Sequence, residues 1–105
     1  MAIVGLLSDE QTVARAVTLF SALGDRSRLI IIRELARGGS IRVGELVTRL
    51  GLAQGTVSGH LAVLRYSGLV TVEVQRNHRL YSLAHSQTLD LVSLAEQLLS
   101  GPPNS

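Results

Sequence analysis

Residues 43–83 constrain the fold more than any other part of the chain. VGELVTRL (43–50) has helical spacing, with Leu46, Val47 and Leu50 inward, and Gly51 breaks it. After the turn Gly51-Leu52-Ala53, a second helical pattern, QGTVSGHLAVLRYS, runs from Gln54 to Ser67 and stops at Gly68. The period then changes from 3.6 to 2. Val70, Val72 and Val74 alternate with Thr71, Glu73 and Gln75, and Leu80-Tyr81-Ser82-Leu83 reads as a returning strand. Gln75-Arg76-Asn77-His78 is the tight turn between them, with Asn77 able to tolerate a positive φ. A short helix, a glycine turn, a second helix and a basic hairpin make a winged helix–turn–helix arrangement.

The flanks are helical. Ser8-Asp9-Glu10-Gln11 has capping-box spacing and opens a helix of about 9–22, with Val13, Ala16, Val17, Phe20 and Leu23 on its apolar stripe. Gly24 ends it. Asp25 is placed to cap a helix of about 26–37, which stops at Gly38-Gly39. Ile41 and Val43 suit a short extended link. Ser86 is placed to cap a last helix of about 87–100, and GPPNS reads as a frayed end. The expectation is a mainly α fold with a β-hairpin wing: about five helices and two to three short strands. No repeat or linker divides residues 1–105, so a single winged-helix domain is expected.

A chain of 105 residues can build one modest core, and with one Phe, two Tyr and no Trp that core must be aliphatic. The absence of cysteine excludes disulfides, zinc ribbons and thiolate metal or redox sites. No apolar run approaches the roughly 18 residues that span a bilayer. MAIVGLLSDE has no basic lead-in and no long apolar segment, so no signal peptide, no membrane partner and a cytoplasmic location are expected. The net charge is only +2, but its distribution is uneven: Arg26 to Arg79 hold nine Arg against three acids, and the flanks hold one Arg against five acids. A basic middle between acidic ends suits one surface facing a polyanion; a merely solvated, arginine-rich surface is the competing reading.

At this resolution the chain resembles the ArsR/SmtB family of bacterial winged-helix repressors. The resemblance rests on LFSALGDRSRLIIIREL (19–35), VGELVTRLGLAQGTVSGHLAVLRYSGLV (43–70) and LYSL (80–83), and is sharpest in the SxHLxxLxxxGLV pattern from Ser58 to Val70. It implies a homodimer that binds operator DNA and lets go when an inducer binds. It also implies that Ser58 and His60, at the family's SxH positions, face DNA. The family's metal-sensor positions do not carry over. The segment before the helix–turn–helix reads IRVGEL, without cysteine, and the positions at the last helix are His85, Gln87, Leu98 and Gly101, of which only His85 could bind a metal.

A helical wheel sharpens the second helix of the motif. Val57, Leu61 and Leu64 fall on one stripe; Gly55, Gly59, Ala62 and Tyr66 lie opposite, flanked by Gln54, Ser58 and Arg65 on one side and Thr56, His60, Val63 and Ser67 on the other. Each glycine costs a helix interior about 1 kcal/mol relative to Ala. A bare face lets a helix seat deeply in a major groove about 12 Å wide, while Gln54, Thr56, Ser58 and His60 reach base edges or phosphates. Gln54 is the best specificity residue, because Gln can bond an adenine edge in bidentate fashion, and Arg65 suits a phosphate. The competing reading of Gly55 and Gly59 is close packing against another helix. Arg76, Asn77, His78 and Arg79 form a wing tip suited to phosphates or the adjacent minor groove; a solvated turn is the alternative.

Ser58 and His60 do not form a nucleophile–base pair, since two residues apart on a helix they point about 200° apart. With no Gly-rich phosphate loop and no paired-carboxylate site, an enzyme is not expected. The terminal helices carry more apolar residues than one stripe needs. Val13, Val17 and Phe20 at one end and Leu91, Leu94, Ala95 and Leu98 at the other are therefore expected to form a dimer interface, with Ile3, Val4, Leu6 and Leu7 adding to it. The expected partners are double-stranded operator DNA, a second copy and an inducer. No cofactor is assigned. Two alternatives remain open. One is a zinc, nickel or cobalt sensor built from His85 with Asp90, Glu96 or a partner subunit's groups. The other is a winged-helix protein-interaction module without specific DNA binding.

Overall fold

The computed structural model describes residues 5–101; Ile3, Val4 and the last four residues lie outside them. Helix α1 spans Glu10–Leu23 and α2 spans Arg26–Gly38. A short strand β1, Ile41–Arg42, leads into α3, Val43–Leu50, and α4 follows at Gln54–Tyr66. The hairpin is β2, Val70–Gln75, and β3, His78–Leu83, and α5 spans Gln87–Leu99. Among the described residues, five helices and a three-stranded antiparallel sheet make a winged helix–turn–helix fold. No helix among the described residues is long and apolar enough to cross a membrane.

The helix ends follow from local chemistry, with two departures from expectation. Asp9, not Ser8, is the N-cap of α1: its carboxylate accepts the Thr12 N–H at 2.7 Å. Both residue types cap well, and the carboxylate adds a favourable charge at the helix start. Ser86 stands at the cap position of α5 but with helical φ −64° and ψ −23°, so its side chain makes no capping bond. Gly51 takes the left-handed conformation at φ 68° and closes α3 with a bond to the Val47 carbonyl. Gly68, at φ 79°, closes α4: its N–H reaches the Arg65 carbonyl and the Leu69 N–H reaches Leu64. That double bond pattern requires a left-handed residue, which glycine supplies without strain.

The sheet order is β1-β3-β2. The extended link expected around residue 41 pairs with β3, Ile41 opposite Tyr81 and Arg42 opposite Leu80. Tyr81 also faces Val72 on β2, so it holds both neighbours and points into the core. The core is aliphatic. Ile31, Ile32 and Leu35 of α2 meet Leu46 of α3, Val57, Leu61 and Leu64 of α4, and Leu69 and Val70 at the start of the hairpin. Each such side chain, fully buried, contributes roughly 1.5–3 kcal/mol. The stripe Val57-Leu61-Leu64 is completely buried, which fixes the opposite face of α4 as the outer one.

Candidate nucleic-acid interface

Helix α4 presents Gly55, Gly59, Ala62 and Tyr66 to solvent, and Tyr66 is 86% exposed. A Cβ built on Gly55 or Gly59 meets no atom within 4 Å. Close packing inside the chain therefore does not explain either glycine. Gln54, Thr56, Ser58, Val63 and Arg65 are exposed along the two flanks. Ser67 is half-buried, with its hydroxyl donating to the Val63 carbonyl at 2.7 Å. Ala53 occupies the N-cap position and offers no side-chain bond. The first N–H groups of α4 are left for water or for an anion, on the positive end of the helix.

His60 is placed differently from the other flank residues. Its side chain is only 19% exposed, and its Nδ1 lies 3.3 Å from Arg28 Nη1 and 3.9 Å from Asp25 Oδ2. It points back toward the start of α2, not outward with Ser58. The Arg28 backbone N–H, bonded to Asp25 at 3.0 Å, holds the Asp25 carboxyl below its usual range.

The hairpin turn is also built differently in detail. Gln75 pairs with His78, leaving Arg76 and Asn77 as a two-residue loop. Arg76, not Asn77, takes the positive φ, at 55°. A two-residue hairpin loop needs a left-handed first residue to match strand twist, and the register puts Arg76 in that place. Arg76, Asn77, His78 and Arg79 are all exposed. Arg79 shares a sheet face with Tyr81 and joins Gln54, Ser58, Arg65 and Tyr66 around a cleft of about 680 Å³ between α4 and the wing. Asn77, His78 and Arg79 also border a second hollow at the start of α3, together with Arg42, Gly44 and Thr48. Sequence reasoning puts Tyr66 on the outer face of α4 without a role and misses Arg42. Arg42 could have been found by strand parity, since it sits opposite Leu80 on the outer face.

Eight of the nine arginines of the basic middle divide into two sets; the ninth, Arg26 at the start of α2, is exposed and makes no ion pair among the described residues. Arg33, Arg37 and Arg49 converge on Glu34 at 3.1, 3.7 and 3.2 Å, and Arg49 also meets Glu45. The Arg33 hydrogen bond is the main cause that keeps the Glu34 carboxyl below its ordinary range. Arg28 is bound internally. Among the described residues, Arg42, Arg65, Arg76 and Arg79 make no ion pair, and all four are exposed on the α3, α4 and wing segments. The cationic surface is therefore narrower than the count of arginines suggests, and it adjoins the bare face of α4.

The terminal helices leave apolar surface uncovered. Val13, Val17 and Phe20 of α1 are 37%, 58% and 57% exposed, and Leu94 and Leu98 of α5 are 56% and 82% exposed. Ala95 is exposed and Leu91 half-buried. Thr88 and Val92 mark the inward side of α5. His85 is exposed in the loop before α5, its carbonyl accepting the Thr88 N–H at 3.2 Å. Among the described residues no three His, Asp or Glu side chains come together in a way that could hold a metal ion.

The model of the bacterial regulatory proteins of the arsR family matches residues 25–72, from the cap of α2 into β2. The transcriptional activator HlyU of Vibrio cholerae is 35% identical over 89 residues, 85% of this chain and 82% of that protein. Its solved structure superposes with a TM-score of 0.75, covering 89% of this chain and all of the other (100%). A biofilm growth-associated repressor of Xylella fastidiosa is 34% identical over 86 residues, 80% of this chain and 73% of its own length. A winged helix–turn–helix domain of Mycobacterium bovis, described as homodimeric, shares the fold at TM-score 0.78 with 24% identity, covering 89% of this chain and 88% of the other.

Proposed function

Because the chain belongs to the arsR family of bacterial transcriptional regulators, we propose that it acts as a homodimeric repressor. It occupies a palindromic operator and is released by an inducer. The observation that carries the DNA reading is the face of α4. Two glycines with open space above them lie between hydrogen-bonding flanks, on the side of the chain where Arg42, Arg65, Arg76 and Arg79 are exposed and make no ion pair among the described residues. A helix with no side chains along its centre line can approach the floor of a groove, and cations on either side meet the phosphates.

In this reading Gly55 and Gly59 give the close approach, and Gln54, Thr56 and Ser58 meet base edges or nearby backbone. Arg65, Arg76 and Arg79 meet phosphates, with Asn77 and His78 at the wing tip beside them. The uncovered apolar residues of α1 and α5 support pairing of two copies; a two-fold dimer presents two α4 helices to half-sites about 34 Å apart. Occupying both half-sites blocks polymerase access, which is why repression is the simplest outcome of binding. Both an activator and a repressor stand among the relatives.

Two substitutions test the division of labour. Gln54→Ala is expected to cost about 1–3 kcal/mol of discrimination at one base position and to leave nonspecific binding unchanged. Arg65→Ala is expected to weaken all sequences alike and to flatten the salt dependence by about one unit of log–log slope per binding subunit. Fluorescence anisotropy at several salt concentrations, with specific and scrambled duplexes, measures both. An unchanged specific-to-nonspecific ratio in Gln54→Ala removes Gln54 from the reading.

A further inference from the structure

One guanidinium joins three helices. Arg28 of α2 donates from Nε to the Ala22 carbonyl at 2.7 Å and from Nη2 to the Ser21 carbonyl at 3.3 Å. Both carbonyls lie in the last turn of α1; the Ser21 carbonyl also accepts the Gly24 N–H at 3.1 Å, and Ala22 is almost fully buried. From Nη1 the same side chain reaches His60 Nδ1 on α4 at 3.3 Å. An arginine can only donate, so in this hydrogen bond Nδ1 is the acceptor. Asp25 completes the corner by capping α2 through the Arg28 N–H and lying 3.9 Å from the same imidazole nitrogen.

The rest of α4 lacks any comparable tie. Its buried stripe makes apolar contacts, which hold the helix down but are not directional. Its start has no side-chain cap, and glycines at 55 and 59 loosen the half that would enter a groove. Among the described residues, His60 is the only α4 side chain with a hydrogen bond or ion pair to another element. It adjoins Gly59 directly, and its partner holds the end of α1, the helix whose uncovered face is assigned to the dimer.

We propose that Arg28 and His60 are positioning residues that set the orientation of α4 relative to α1. They thereby set the geometry in which a dimer offers its two recognition helices to DNA. His60 acts through Arg28 and does not touch DNA. The part concerning two helices rests on the dimeric reading above; the part concerning one α4 helix does not.

The test uses three variants of the full chain and DNA selected by the wild-type protein from a random-sequence pool. His60→Asn places an amide oxygen where Nδ1 stands and keeps the acceptor. His60→Gln reaches the Nε2 position and loses it. Arg28→Lys removes the fork that spans α1 and α4. The Asn variant is expected to bind the selected site within about threefold of wild type, and the Gln and Lys variants to lose about tenfold or more, with nonspecific binding unchanged. In duplexes whose half-site spacing is changed by one base pair either way, the Gln and Lys variants are expected to discriminate less than wild type. Thermal unfolding monitored alongside identifies the folded fraction, to which all affinities are referred. Binding retained by Gln and lost by Asn indicates a direct DNA contact through Nε2 and overturns the proposal. So does wild-type behaviour in all variants, or a loss shared equally by specific and nonspecific DNA. If wild-type protein selects only single half-sites, the dimeric reading fails, while the Asn–Gln comparison still decides the role of His60 on one helix.

Discussion

Gly59→Leu is expected to lower affinity for specific DNA by about a hundredfold or more without weakening the fold. The substitution sets a branched side chain on the centre line of the bare α4 face, where a groove floor would have to make room. In the free protein that space is open: a Cβ at Gly59 meets nothing within 4 Å. Replacing a helix-interior glycine by leucine also removes a propensity penalty of about 0.5–1 kcal/mol. Thermal unfolding should therefore shift upward, by roughly 4–8 °C per kcal/mol for a domain near this size. Gly59→Ala separates the two effects, since it takes most of the propensity gain and adds a single methyl group. Stability up and DNA affinity down in the same Leu variant is a pair of results that a packing role for Gly59 does not give. Unchanged affinity in Gly59→Leu would take this face away from DNA.

Val17→Asp combined with Leu94→Asp is expected to give a folded monomer. Both side chains are more than half exposed, at 58% and 56%, so the single-chain core does not depend on them. A carboxylate in the centre of a buried apolar interface loses its hydration without gaining a partner, a cost that a dimer of this size cannot absorb. Sedimentation equilibrium at micromolar concentration should report one chain in the double variant and two in the wild type. Affinity for a palindrome should fall by about 10²–10⁴-fold, because the second half-site contact is no longer intramolecular. Affinity for an isolated half-site should hold. A wild-type protein that sediments as a monomer contradicts the dimer, whatever the variant does.

The parts of the fold that were legible in the sequence are those encoded by period and by strong breakers. Val57, Leu61 and Leu64 recur at helical spacing and are all fully buried; Gly51 and Gly68 end their helices at positive φ. The change of period at Val70 marked the hairpin. What was not legible depended on choices between similar neighbours or on distant partners. Ser8 and Asp9 are adjacent and both cap helices well, so spacing alone did not choose Asp9. Asn77 tolerates the left-handed region better than Arg76, but strand register decides which residue occupies the first loop position. A two-residue strand such as β1 is too short to show a period.

His60 shows the same limit at the candidate site. A helical wheel gives the direction in which a side chain leaves the helix, and His60 leaves on the flank beside Thr56. Where a long side chain ends depends on what lies within its reach. Here that is Arg28, 32 residues away in the chain. The arginines illustrate it again: Glu34 neutralises part of the basic middle, and only the folded chain shows which cations remain available.

The central claim is that two copies of α4 enter successive major grooves on one face of a DNA duplex. A hydroxyl-radical footprint on the DNA upstream of the protein's own gene tests it most directly. The account predicts two symmetric protected segments centred about 10 bp apart, or a multiple of that distance, with both lost together in Gly59→Leu. A single protected segment, or a footprint that Gly59→Leu leaves intact, contradicts it.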